Sequence, residues 1–263
     1  MDLGITDRPA LVLGGGGGGG LGRAIAVSLA REGARVAVAD ISAEALEGTR
    51  SAVAAVGGEA HALVWDLSDL GAIDGRVRAA EERHGPVQIL LNNPGGPPPT
   101  PVSGQDPALW RKNFEMMVMS VVGITDRVLP GMRAARWGRV ITSTSSGVVA
   151  PIPNLGISNA LRSALVGWSK TLAREVARDG ITANIVLPGR IATDRIRFLD
   201  EQKAKREGRP ADEVAAESTA SIPVGRYGRP EEYGDAVAFL ASARASYITG
   251  SIIRVDGGLI ASV

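Results

Sequence analysis

Seven consecutive glycines occupy residues 14–20 and constrain the fold of this chain more than any other feature. Alone, such a run is a flexible linker. Here it follows a short apolar run (residues 9–13) and precedes a stretch in which Leu21, Ile25 and Leu29 recur every fourth residue, a helix face closed by Gly33. Between a strand and a helix, glycine supplies positive φ for a tight turn and lets backbone approach a diphosphate. The N–H groups that open the following helix then point at phosphate oxygens. Asp40 ends the next apolar run, near the spacing at which a carboxylate holds adenosine ribose hydroxyls. Turn, helix and acid together predict a dinucleotide site. A carboxylate at residue 40 repels an extra ribose phosphate, so NAD(H) is favoured over NADP(H).

Apolar runs and helical patterns alternate along the rest of the chain. Residues 35–39, 60–65, 87–91, 140–142, 181–187 and 251–255 read as strands. Ser42 and Ser68 sit where helix caps belong, residues 108–129 and 161–176 carry helical patterns, and Pro230 stands at the favoured first turn of a helix. This alternation predicts an α/β, doubly wound Rossmann fold: a parallel sheet of about seven strands, right-handed crossovers and helices on both faces. No linker or repeat divides the chain, so residues 1–263 are expected to form one domain. Two irregular stretches follow strand ends, a proline-rich loop (94–107) and a long charged insertion (190–222). Ligands of such sheets bind beyond the carboxyl ends of the strands, so both are expected to wall a substrate, the second as a mobile lid.

Composition narrows the partners. A net charge of +1 gives no field for nucleic acid or acidic membrane, and no apolar run is long enough to cross a bilayer. Without cysteine there is no disulfide framework, and two distant histidines make a multi-histidine metal site improbable, so no metal is expected. The first eight residues carry acids and no apolar core of a secretory signal, and a cytoplasmic location is expected.

Further motifs carry a resemblance. Gly16, Gly20, Leu21 and Gly22 fit a Gly-x3-Gly-x-Gly turn; Asn92-Asn93-Pro94-Gly95 follows the fourth strand; Asp66 ends the third. Asn184 to Gly189 with Ile191 and Thr193 form an Asn-x-(Val/Ile)-x-Pro-Gly…Thr segment, and the tail runs from Pro223-Val224-Gly225-Arg226 to Val255-Asp256-Gly257-Gly258. Over nearly its whole length the sequence resembles the classical short-chain dehydrogenase/reductase family, in its 3-oxoacyl-reductase-like branch. The resemblance implies a nicotinamide cofactor on Gly16, Gly20, Leu21, Gly22, Asp40, Asp66, Asn93, Arg162, Pro188, Gly189, Ile191 and Thr193. It also implies a small-molecule substrate and a homo-oligomer, tetramer or dimer.

The family's catalytic residues are Asn, Ser, Tyr and Lys. Counting back from Lys170 places the Tyr position at Ser158 and the Lys position at Arg162. Counting forward from Gly138 places the Ser at Ser145, thirteen residues before Ser158, and counting back from Pro130 puts Met117 at the Asn position. In the family, tyrosine protonates the forming alkoxide, lysine lowers the tyrosine pKa and binds the nicotinamide ribose, and asparagine holds a relay water. A serine hydroxyl is a far poorer acid than a tuned phenol. An arginine, with a pKa above roughly 12, donates hydrogen bonds without passing protons.

Three readings follow. The first is an atypical NAD(H)-dependent oxidoreductase of small carbonyl, alcohol or imine-type substrates, with Ser145, Ser158 and Arg162 orienting the substrate and Met117 as an apolar wall. The second is a non-redox enzyme on the same scaffold; halohydrin dehalogenases share arginine at the lysine position. The third is a sensor that holds NAD(H) without chemistry. Arg162 is left between two roles, binding the nicotinamide ribose or a substrate carboxylate.

Overall fold

The computed structural model describes residues 2–16 and 20–262. Seven parallel strands form one sheet: β1 (Pro9–Leu13), β2 (Arg35–Asp40), β3 (Ala60–Val64), β4 (Ile89–Asn92), β5 (Gly138–Ser143), β6 (Ile181–Pro188) and β7 (Ile252–Val255), in the order β3-β2-β1-β4-β5-β6-β7. The chain runs outward from β1 to β3 and then returns to the other side of β1, so the strand order reverses between β1 and β4 while all strands stay parallel. That is where open α/β sheets bind ligands.

Strand alternation assigns the helices to faces. Ala10, Val12, Val36 and Val38 point to one side and pack with Ile25 and Leu29 of α1 (Leu21–Arg31), Leu46 and Val53 of α2 (Ala43–Ala54), and Tyr233 and Val237 of a late helix, Pro230–Leu240. Leu11, Leu13, Ala37 and Ala39 point to the other side. There they meet Val77 and Ala80 of α3 (Ile73–His84), Ile124 and Val128 of a helix at Ser120–Ala135, and Leu172 and Val176 of a helix at Gly156–Val176. The interior strands β1, β2, β4, β5 and β6 are covered on both faces, which is why they read as unbroken apolar runs, while the edge strands β3 and β7 are partly exposed. The doubly wound α/β fold is therefore as the sequence predicts.

Local detail departs from the sequence reading in four places. The helix after the proline-rich loop is three pieces: α4 (Pro107–Phe114), a π-turn over Glu115–Met119 and α5 (Ser120–Ala135), with Asp106 rather than an alanine opening it. The helix expected from residue 161 begins earlier, as α6 (Gly156–Val176). Ser68 does not cap a helix: its N–H and hydroxyl are both bonded to the Asp66 carboxylate, and Asp69 caps the 3-10 turn that leads into α3. The charged insertion is not a loop but two helices, α7 (Asp194–Glu207) and α8 (Ala211–Ala220), before α9 (Pro230–Leu240). Many of its charges are paired, as in Arg190 with the buried Asp200 and Lys203 with Glu217.

Candidate active site

The glycine turn leaves β1 through Gly14, whose φ is +63° and whose absent side chain would strike the Asn93 carbonyl at 2.3 Å. The Asn93 amide in turn donates to the Gly14 carbonyl at 3.3 Å, tying the turn to the end of β4. A Cβ at Gly16 would meet Asp40 at 2.7 Å, and one at Gly22 would lie 2.0 Å from the Gly14 carbonyl oxygen. Only glycine permits α1 to approach β1 this closely. Gly17, Gly18 and Gly19, the middle of the run, lie outside the described residues.

A cavity of about 1280 Å³ opens above the strand ends. That exceeds the roughly 300–1,000 Å³ of a drug-sized site, leaving room for a dinucleotide and a substrate together. Gly20, Leu21, Asp40, Asp66, Asn93, Pro188, Gly189, Ile191 and Thr193 all line it, as do Ser145, Ser158 and Arg162. Gly16 and Gly22 do not; they shape the turn from behind. Gly189 is obligatory where it stands, since a Cβ would lie 2.5 Å from the Asp256 Cα.

Asp40 accepts the N–H of Gly16 at 3.0 Å on one carboxylate oxygen and that of Ser42 at 3.2 Å on the other. The Asp66 carboxyl is held below its usual range because both the N–H and the hydroxyl of Ser68 donate to it. Trp65 is buried beside it with an indole N–H that meets no acceptor among the described residues. An unmatched donor and two carboxylates at this end of the cavity suit the polar edges of a bound nucleoside. The residues present fit a dinucleotide.

The other end is built around Arg162, on the second turn of α6. Its Nε donates to the Ser158 hydroxyl at 3.3 Å and its Nη1 to the carbonyls of Ser143 and Thr144 at 3.3 and 3.4 Å. Its Nη2 donates to the carbonyls of Pro94 and Gly95 at 3.3 and 3.2 Å. The guanidinium thus joins the ends of β4 and β5 with all five of its N–H groups engaged, and it lines the cavity. Burial pushes its pKa down to about 10, so it is still charged at neutral pH. Ser145 caps a short 3-10 turn, accepting the Gly147 N–H at 3.2 Å.

Met117 is not a wall of this cavity. It is fully buried with Val118, Val121, Ile157, Leu161 and Leu165, and Met116 faces the cavity instead. The π-turn is the reason: one extra residue in the turn rotates the side chains that follow. No tyrosine or histidine is among the described residues lining the cavity. Tyr233 is buried behind it, sharing a hydrogen bond with Ser143 Oγ at 2.8 Å, and burial holds its pKa above the usual tyrosine value. Tyr227 donates to Asp200 at 2.6 Å, and Tyr247 is fully exposed. Trp65, Gly96, Met116 and Arg195 also line the cavity and were not expected from the sequence. Arg195 alone carried a readable signal, an arginine in the first turn of a helix with no acid three or four residues away. No helix of the described residues is long and apolar enough to cross a membrane.

Known proteins share this architecture. The family model described as enoyl-(acyl carrier protein) reductase matches residues 16–260. The 3-oxoacyl-(acyl-carrier-protein) reductase FabG of Escherichia coli is 36% identical over 241 residues, covering 91% of this chain and 92% of that protein. Nodulation protein G of Azospirillum brasilense is 33% identical over 245 residues, covering 91% and 93%. Among solved structures, L-sorbose reductase from Gluconobacter frateurii, complexed with NADPH and L-sorbose, superposes with a TM-score of 0.93 at 29% identity, each chain covered in full. Levodione reductase gives 0.91 at 32% identity, with 98% of this chain and 100% of the other covered. Sequence and architecture agree from end to end, and the chain belongs to the classical short-chain dehydrogenase/reductase family.

Proposed function

We propose that this chain is an atypical oxidoreductase that binds NAD(H) in preference to NADP(H) and acts on a small carbonyl, alcohol or imine-type substrate without a tyrosine acid. The observation that carries the reading is the continuity of one cavity from Asp40 and the glycine turn to Ser145, Ser158 and Arg162. A bound nicotinamide supplies or accepts hydride, and the protein's part is to orient the partner and steady its developing charge. Ser145 and Ser158 offer hydroxyl donors, and the Arg162 guanidinium supplies a fixed positive charge in a partly water-excluded site. With Ser and Arg at the positions of the family's Tyr and Lys, and no cavity tyrosine, the proton comes from water or from the substrate. Reduction of an iminium carbon needs none.

NAD(H) is proposed although the solved sorbose reductase holds NADPH. The support is Asp40, whose carboxylate is fixed by two backbone donors where a ribose phosphate would have to sit. Residues 1–263 would act as one domain, with α7 and α8 as lid. The exposed Phe239 of α9 and Ile252 of the edge strand β7 support a homo-oligomer, dimer or tetramer.

The test is a fluorescence titration with NADH and NADPH, then NADH consumption with a cyclic iminium and with an unactivated ketone. Tight NADH binding and turnover of the iminium are expected. Rapid ketone reduction that survives Ser145→Ala would contradict the reading. A second reading, a protein that holds NAD(H) and turns nothing over, is favoured by one observation: Ser158 and Arg162 satisfy each other at 3.3 Å. Turnover of any substrate disposes of it.

A further inference from the structure

Two arginines of the cavity stand without acids. Arg162 has five hydrogen-bond acceptors, all neutral and all at 3.2 Å or longer. Arg195, in the first turn of α7, donates to the Pro97 carbonyl at 3.0 Å and lies over the Phe198 ring at 5.8 Å. Among the described residues neither guanidinium has a carboxylate within 4 Å, whereas its neighbours do: Arg190 pairs with Asp200, Arg197 with Asp194, Lys203 and Arg209 with Glu217, Arg206 with Glu207. Lys205 is also unpaired, but it is exposed and does not line the cavity. Burial lowers the pKa of Arg195, as it does that of Arg162.

The two cations converge on one segment. Arg162 grips the Pro94 and Gly95 carbonyls and Arg195 grips that of Pro97. Gly95 and Pro97 are two residues apart, so at most about 7 Å of chain separates them. Between them stands Gly96, where a Cβ would lie 3.4 Å from Arg162 Nη2 and 3.8 Å from Ser158 Oγ, so the absence of a side chain keeps that approach open. The acids of the cavity do not neutralise this end. Asp194 is taken by Arg197, and Asp40, at the end of β2, is three strand spacings from β5, about 14 Å.

We infer that the substrate carries an anionic group, a carboxylate or a phosphate ester, which Arg195 receives beside Gly96 in the field of the neighbouring Arg162 charge. This rests on the reading of the cavity as a nicotinamide and substrate site, and it names the substrate class of that site. A guanidinium meets a carboxylate or phosphate with two parallel hydrogen bonds; among the described residues Arg195 spends one N–H, on Pro97, and keeps the rest for an anion, whereas all five N–H groups of Arg162 are engaged and it adds its charge alone. The glycine turn that would hold a cofactor diphosphate follows β1, two strand spacings from β5, about 10 Å.

Calorimetric titration of malonate, inorganic phosphate and the neutral analogue malonamide tests this, with the protein alone and with the protein saturated with NADH. Malonate or phosphate is expected to bind, and malonamide at least tenfold more weakly. Arg195→Ala, which gives up one hydrogen bond to the Pro97 carbonyl, is expected to weaken the anion at least tenfold while NADH affinity changes less than twofold. Arg195→Lys is expected to recover part of the loss. Anions binding no better than malonamide, or anion binding indifferent to Arg195→Ala, would overturn the inference. So would an equal loss of NADH affinity in that variant, which would assign the arginine to the cofactor diphosphate. If NADH fails to bind while malonate still depends on Arg195, the cofactor reading falls and the anion site stands.

Discussion

The Gly16 N–H donates to the Asp40 carboxylate at 3.0 Å, joining the turn after β1 to the end of β2. A Cβ on Gly16 would stand 2.7 Å from the Asp40 side chain, so the two residues are matched: bare backbone on one side, an acid seated against it on the other. The backbone ties of this acid to Gly16 and Ser42 are the basis on which NAD(H) is proposed over NADP(H). Asp40→Ala is expected to narrow the ratio of NADPH to NADH dissociation constants by at least tenfold, about 1.4 kcal/mol. Parallel fluorescence titrations of the unmodified chain and the variant with both nucleotides measure it.

Restoring the family's proton relay tests what the cavity lacks. Ser158→Tyr with Arg162→Lys places a phenol and a tunable ammonium on successive turns of α6, facing Gly96 and the β5 end. General acid catalysis contributes about 10²–10⁴-fold, so NADH-dependent reduction of a simple 3-oxoester is expected to rise at least a hundredfold over the unmodified chain. Unchanged rates with intact NADH binding would show that more than the acid has been lost.

Two glycines make opposite predictions for stability. A methyl at Gly22 meets the Gly14 carbonyl oxygen at 2.0 Å and the Gly15 Cα at 2.9 Å, backbone atoms that have nowhere to go. Gly22→Ala is expected to cost about 2 kcal/mol or more, as overpacking does, and to weaken NADH binding with it. Gly75, within α3, has open space where a methyl would stand, with nothing within 4 Å, so Gly75→Ala is expected to stabilise by about 0.5–1 kcal/mol. Urea unfolding of both variants gives the comparison.

Glu232 sets an acid-side prediction. The Arg226 side chain grips both its oxygens at 2.8 and 2.9 Å and the Arg229 N–H donates to it at 2.7 Å, pulling its pKa from 4.5 down to about 2. A carboxyl with a depressed folded pKa binds fewer protons folded than unfolded, so its contribution is complete above about pH 4.5 and disappears as pH falls through about 2. Glu232→Gln should therefore melt below the unmodified protein at pH 6, with the gap closing towards pH 2. A gap independent of pH would assign the effect to the hydrogen bonds alone.

Much of this was legible in sequence because it depends on short-range pattern. Unbroken apolar runs mark strands buried on both faces, and Asp40, Asn93 and Thr193 declare themselves by standing at strand or helix ends. Arg162 and Ser158 could be placed by counting because α6 is regular from Gly156 onward. Met117 could be counted to its position but not oriented, since nothing in Glu115–Met119 announces a π-turn and the rotation it causes is decided by packing against α6. The 190–222 stretch looked irregular because its helices bury little and carry charge on most faces. Gly96 and Trp65 escaped notice because their importance lies in what stands opposite them, across the sheet, where linear spacing gives no hint.

The π-turn also separates two kinds of change that are ordinarily coupled. Each residue of a helix advances the next by about 100°, so shortening Glu115–Met119 by one position after Met117, with α5 held, would carry Met116 into the buried place of Met117. A thioether would pass from the cleft into the apolar layer beneath α6, while β4 and β5 kept their register. A lineage carrying this bulge therefore holds a way to remodel the lining of its reaction chamber by a single codon's length, with the supporting sheet undisturbed.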